Sequence, residues 1–64
     1  MGEGKLPEDP VICMSFVNTK LRDEFSTLEE FCAAMNVEET VLRQTLGAVG
    51  YQYDAVQNQF KSSI

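Results

Sequence analysis

Residues 26–50 read STLEEFCAAMNVEETVLRQTLGAVG, and this stretch decides the fold. Ser26-Thr27-Leu28-Glu29 matches a capping box, in which a serine hydroxyl and a glutamate three residues later satisfy each other's free backbone donors. A short helix is expected from there to about Met35. Asn36 suits its end, because a short polar side chain tolerates positive φ better than most. A further helix is expected over residues 38–49, with Gly50 as its stop. Leu42, Thr45, Leu46 and Val49 repeat at helical spacing and are expected to face inward, leaving Glu39, Thr40, Arg43, Gln44 and Gly47 outside.

Upstream, Asp9-Pro10 is a strong helix start. The aspartate can accept from a free backbone N–H, and proline at the first helical position loses no hydrogen bond. The helix it opens is expected to cover residues 10–23. At about 100° per residue, Ile12, Cys13, Met14, Phe16, Val17 and Leu21 span an apolar arc of roughly 200°, wider than the stripe of a typical surface helix. Ser15, Asn18, Thr19 and Arg22 form the opposite polar strip. Lys20 falls inside the apolar arc, where its methylene stem can cover apolar surface while its amine reaches water. Residues 1–8 have no periodicity and read as a mobile leader.

Downstream the period changes. Tyr51-Gln52-Tyr53 alternates as a strand does, residues 54–58 are turn-like, and Gln59-Phe60-Lys61 can pair back. An isolated two-stranded hairpin is marginal in water, so its aromatic residues are expected to pack on the helices. Residues 62–64 read as a frayed tail. The fold class is therefore mainly α within α+β: one domain over residues 9–61, with three helices and a C-terminal two-stranded hairpin. The order helix, tight turn, helix, hairpin is that of a winged helix-turn-helix, although any compact three-helix domain shares many of these apolar positions.

Composition narrows the function. Apolar residues make up 44% of the 64-residue chain and charged residues 23%, as in an ordinary globular domain rather than a disordered segment. Ten carboxylates against five basic residues give a net charge of −5, a field that repels nucleic acid phosphates and anionic membranes. No apolar run approaches the roughly 18 residues that cross a bilayer. Two cysteines nineteen positions apart, with no apolar leader before them, point to a cytoplasmic protein with free, buried thiols.

Little in the chain suggests catalysis. It has no histidine, the commonest general base and metal ligand. The neighbours Asp23-Glu24, Glu29-Glu30 and Glu38-Glu39 do not face one another on a helix, and they read as cap and solvent charges. Cys13 and Cys32 lie mid-helix on apolar faces, without a base to activate them. Two cysteines alone cannot complete a four-ligand zinc site. No catalytic residue, cofactor or metal site is assigned.

The blocks Leu6-Pro7-Glu8-Asp9-Pro10, Ser15-Phe16-Val17-Asn18-Thr19-Lys20-Leu21-Arg22-Asp23, Gly50-Tyr51-Gln52-Tyr53-Asp54 and Asn58-Gln59-Phe60 together resemble the bacterial family catalogued as domain of unknown function 4250. The resemblance covers nearly the whole chain. It implies a bacterial, cytoplasmic, stand-alone small protein and supplies no activity. Within these blocks Asn18, Lys20, Arg22, Asp23, Asp54 and Asn58 are expected to form either a buried polar network or a binding face, and the network is the favoured reading.

Two functions of different classes follow. The first is a non-enzymatic protein-interaction or regulatory module whose partner is a second copy in a homodimer or another protein. It would use Ile12 and Phe16 on the wide apolar arc, unless the hairpin covers that side. The second is a nucleic-acid-associated helix-turn-helix accessory, with Arg43, Gln44 and Lys61 as contacts. Glu38 and Glu39 occupy the helix start where phosphate-binding cations belong, so the isolated chain is not expected to bind nucleic acid. The candidate interaction residues are Ile12, Phe16, Asn18, Arg22, Arg43 and Gln44.

Overall fold

The computed structural model describes residues 6–63. Helix α1 runs Pro10–Asp23, α2 Leu28–Met35 and α3 Glu39–Gly47, followed by strands β1, Tyr51–Asp54, and β2, Gln59–Ser62. The three expected helices and the expected antiparallel hairpin are all present. Tyr51 pairs with Ser62, Gln52 with Lys61, Tyr53 with Phe60 and Asp54 with Gln59. Most of the leader expected over residues 1–8 lies outside the described residues, but Leu6 is within them and packs against the core. At the other end Ser62 belongs to β2, and the Ser63 N–H donates to the Gly50 carbonyl at 2.7 Å.

Local chemistry explains the boundaries. Asp9 caps α1 through its Oδ1, which accepts from the N–H groups of Val11 at 2.9 Å and Ile12 at 3.2 Å. At the end of α2, Asn36 takes φ 58°. The N–H of Val37 then reaches back to the Cys32 carbonyl at 2.9 Å and that of Asn36 to Ala33 at 3.3 Å, a Schellman motif.

Three expectations need correction. The cap of α2 is Thr27, not Ser26: Thr27 Oγ1 accepts from the Glu30 N–H at 3.1 Å, and Glu30 Oε1 accepts from the Ser26 N–H at 3.0 Å. Two overlapping boxes are written in this sequence. The one used places Leu28 at the first helical position, where it is buried with Phe31 and Cys32. Second, α3 ends at Gly47 rather than Val49, because three-residue turns at Val49 N–H to Leu46 and Gly50 N–H to Gly47 swing the chain into β1. That turn leaves Val49 exposed. Third, Thr45 is also exposed, since α3 buries only the narrow stripe of Leu42 and Leu46.

The core consists of Cys13, Val17, Leu21, Leu28, Phe31, Cys32, Leu42, Leu46 and Phe60, and among the described residues no polar or charged residue is fully buried. Phe31 is its centre. The rings of Phe25 and Phe16 meet it edge-on, with centroids 5.7 and 6.4 Å away. The wide apolar arc of α1 is thus divided. Leu21 and Val17 face the core, α2 covers the Phe16 side through Phe31, and β2 covers the Asn18 side.

Candidate functional site

Two asparagines tie the hairpin to the helices. The Asn18 amide meets the outer edge of β2: its Oδ1 accepts from the Phe60 N–H at 2.7 Å, and its Nδ2 donates to the Phe60 carbonyl at 3.0 Å. A side-chain amide carries the same donor and acceptor as a peptide, so Asn18 takes the place of a missing third strand for one residue. Asn58, at φ 55° in the hairpin turn, donates from Nδ2 to the carbonyls of Leu21 at 3.1 Å and Phe25 at 3.0 Å. Those carbonyls lie at the end of α1 and in the link to α2, where helix geometry leaves acceptors without partners. Asn58 Oδ1 accepts from the Tyr53 hydroxyl, whose oxygen accepts from the Leu28 N–H at 3.2 Å. One chain of bonds therefore joins the end of α1, the start of α2, β1 and the hairpin turn.

Both donors of each amide are used, since Asn18 Nδ2 also donates to Met14 Sδ at 3.1 Å, and each amide oxygen accepts one bond. An open groove of about 400 Å³ is lined by Asn18, Thr19, Leu21, Arg22, Gln57, Asn58 and Gln59. The two asparagines direct their polar atoms at the backbone, the Tyr53 hydroxyl and the Met14 sulfur, and Gln57 Oε1 accepts from Gln59 and Lys61. Asp54 closes the hairpin turn by accepting from the N–H groups of Val56 and Gln57. The polar residues singled out by the sequence thus divide, with Asn18, Asp54 and Asn58 holding the fold and Lys20, Arg22 and Asp23 on the surface.

Each described basic side chain is paired with a carboxylate. Lys20 meets Glu24 at 2.8 Å, Arg22 meets Asp23 at 2.9 Å, Arg43 meets Glu39 at 2.8 Å and Lys61 lies 3.8 Å from Asp54. These are the four basic residues among the described ones, and each faces a carboxylate. The hydrogen bond from Arg22 holds the Asp23 carboxyl below its ordinary range, and both groups are solvent-exposed. Arg43 also lies over the Tyr53 ring, 5.3 Å from its centroid. Its neighbour Gln44 is exposed. The Lys20 amine is 5.6 Å from the Phe16 ring, so Phe16 is half-covered by Phe31 on one side and Lys20 on another.

Ile12 is different. It is 58% exposed and Val11 is 51% exposed, so the first turn of α1 presents two aliphatic side chains to solvent beside Glu8 and Asp9. Ile12, Arg22, Arg43 and Gln44 are not gathered into one cluster by any described contact. Val11 escaped notice in the sequence because its place on the helix, about 160° from Cys13, marks it as solvent-facing rather than as part of the apolar arc.

Both cysteines are free and buried. Burial pushes the Cys13 and Cys32 thiols up, and at Cys32 the Glu39 carboxylate adds to the effect while Arg43 opposes it. Unfolded thiols ionise near pH 8.5, and the folded ones only above their own higher pKa. The native state then holds protons that the unfolded state releases, so this contribution to stability is complete below about pH 8.5 and is lost as pH rises from there through the folded pKa. In reducing buffer the urea midpoint should fall between pH 7 and pH 10. It should fall less in a Cys13→Ala/Cys32→Ala variant. An equal fall in both proteins would show that the thiols do not contribute.

Among the described residues no helix is long and apolar enough to cross a membrane, and no group of three or more metal-ligating side chains stands together. The chain belongs to the family described as Domain of unknown function (DUF4250), whose model matches residues 7–60. No curated protein and no solved structure matches the chain.

Proposed function

We propose that this DUF4250 member is a bacterial, cytoplasmic interaction module that binds another protein through the first turn of α1 and performs no chemistry of its own. The observation that carries this reading is the exposure of Val11 and Ile12 in a frame where the neighbouring charges, Glu8 and Asp9, are acidic. The complementary partner surface is an apolar contact rimmed by lysine or arginine.

Pairing of the basic side chains supports protein over nucleic acid. A nucleic acid contact through Arg43 would require it to leave both Glu39 and the Tyr53 ring, and Lys61 would have to leave Asp54. The absence of histidine from the sequence and the burial of both thiols support binding over catalysis.

The test is a titration of fluorescently labelled duplex DNA and single-stranded RNA at low salt, where phosphate contacts are strongest. No binding is expected at micromolar protein. Salt-sensitive binding lost in Arg43→Ala would overturn the reading in favour of a winged helix-turn-helix function.

A further inference from the structure

The two edges of the hairpin are unlike. In an antiparallel pair, successive residues alternate between bonding to the partner strand and pointing their N–H and C=O away from it. Phe60 points both groups away, to Asn18, while the Gly50 carbonyl accepts from Ser63. Given the pairing of Tyr53 with Phe60 and Gln52 with Lys61, Gln52 and Asp54 bond inward to β2. Tyr51 and Tyr53 therefore direct their N–H and C=O groups outward. No described backbone partner meets them there.

The outer edge of β2 is closed by Asn18, whereas that of β1 meets no backbone partner among the described residues. A groove of about 230 Å³ lined by Arg43, Gly47, Tyr51, Gln52, Tyr53 and Phe60 runs beside it. β1 contains neither the proline nor the lysine that commonly protects an edge strand.

The edge is complementary to a second copy of itself. Tyr51-Gln52-Tyr53 is a palindrome, and a two-fold axis through Gln52 sets each copy's Tyr51 opposite the other copy's Tyr53. Those two pairings exchange four backbone hydrogen bonds through the groups that point outward. Gln52 then faces the second copy's Gln52, and side-chain amides are self-complementary because each both donates and accepts. Gly50 falls opposite Asp54, so no like charges meet across the seam.

We propose that two copies of this chain associate edge to edge through β1, forming a four-stranded antiparallel sheet centred on Gln52. The net charge of −5 on each copy opposes the contact, so association is weak at low salt and strengthens as salt screens the repulsion.

Sedimentation across a concentration series tests this. The wild-type chain is expected to dimerise, more tightly at higher salt. Gln52 is exposed, so Gln52→Lys and Gln52→Glu keep the fold, which circular dichroism verifies. Each variant alone sets like charges against each other and is expected to weaken the dimer by roughly two- to fivefold. An equimolar mixture of the two restores it. Ile12→Ser, an uncharged change on the first turn of α1, leaves it unchanged, which separates this contact from the protein-binding surface proposed above. A monomer at every concentration, or a dimer indifferent to both Gln52 substitutions, would overturn the proposal.

Discussion

Phe31→Ala is expected to lower the stability of the chain by a third or more, with a matching fall in its urea midpoint. Phe31 is completely buried and is the ring against which both Phe16 and Phe25 pack edge-on. Truncating a buried phenylalanine costs about 3–5 kcal/mol, from lost burial and from the cavity left behind. A domain of 64 residues has a total stability of roughly 3–10 kcal/mol at the usual values per residue, so this one change removes from about a third to all of it. Relaxation cannot refill the space easily, because Phe16 is held from outside by Lys20 and Phe25 lies in the short link before α2. Phe31→Leu, which keeps most of the volume, is expected to remain folded at reduced stability. Circular dichroism and urea titration measure both. An alanine variant with a near-native urea midpoint would mean that the core is not organised around this ring.

Asn58→Ala is the second large effect, at about 3 kcal/mol, although the residue is polar and only half-buried. The substitution strips the partners from the carbonyls of Leu21 and Phe25 and removes the acceptor of the Tyr53 hydroxyl. It also puts a residue with a Cβ and no compensating local hydrogen bond at φ 55°, which costs about 1–2 kcal/mol of that total. Asn58→Gly separates the two causes, since glycine accepts the backbone conformation but supplies no amide. If the hydrogen bonds carry the larger share, glycine recovers less than half of the loss. Full recovery by glycine would assign the effect to the backbone and leave the bond chain without energetic weight.

These two residues mark the division between what the sequence reveals and what it conceals. Helices and strands were legible because their signals are local: a proline after an aspartate, an asparagine after an apolar run, a change of period at Gly50. The cap of α2 was displaced by one residue because Ser26-Glu29 and Thr27-Glu30 satisfy the same rule, and only the burial of Leu28 selects between them. Val49 was misplaced because the period of α3 continues on paper beyond the point where the chain tightens and turns.

The partners of Asn18 and Asn58 were out of reach for a different reason. Phe60 lies 42 residues from Asn18, and Leu21 lies 37 from Asn58, so no window of local sequence contains both members of either pair. The resemblance blocks did contain all four residues, and the structure supplies the physical reason they belong together. On the surface, Glu39 and Arg43 were read only as outward-facing, although their spacing of four on one helix suits the ion pair they form, while the contact of Arg43 with the Tyr53 ring required the hairpin to be folded back.

The central claim, that the chain works by binding a protein through Val11 and Ile12, is tested most directly by affinity capture from a native bacterial lysate with two baits. One bait is the wild-type chain and the other carries Val11→Ser and Ile12→Ser, exposed positions where polar side chains leave the core intact. Each lysate is divided into nuclease-treated and untreated halves. The account predicts a defined protein retained by the wild type in both halves and lost by the variant in both. Capture of the same proteins by both baits, or of proteins that vanish with nuclease treatment, would contradict it.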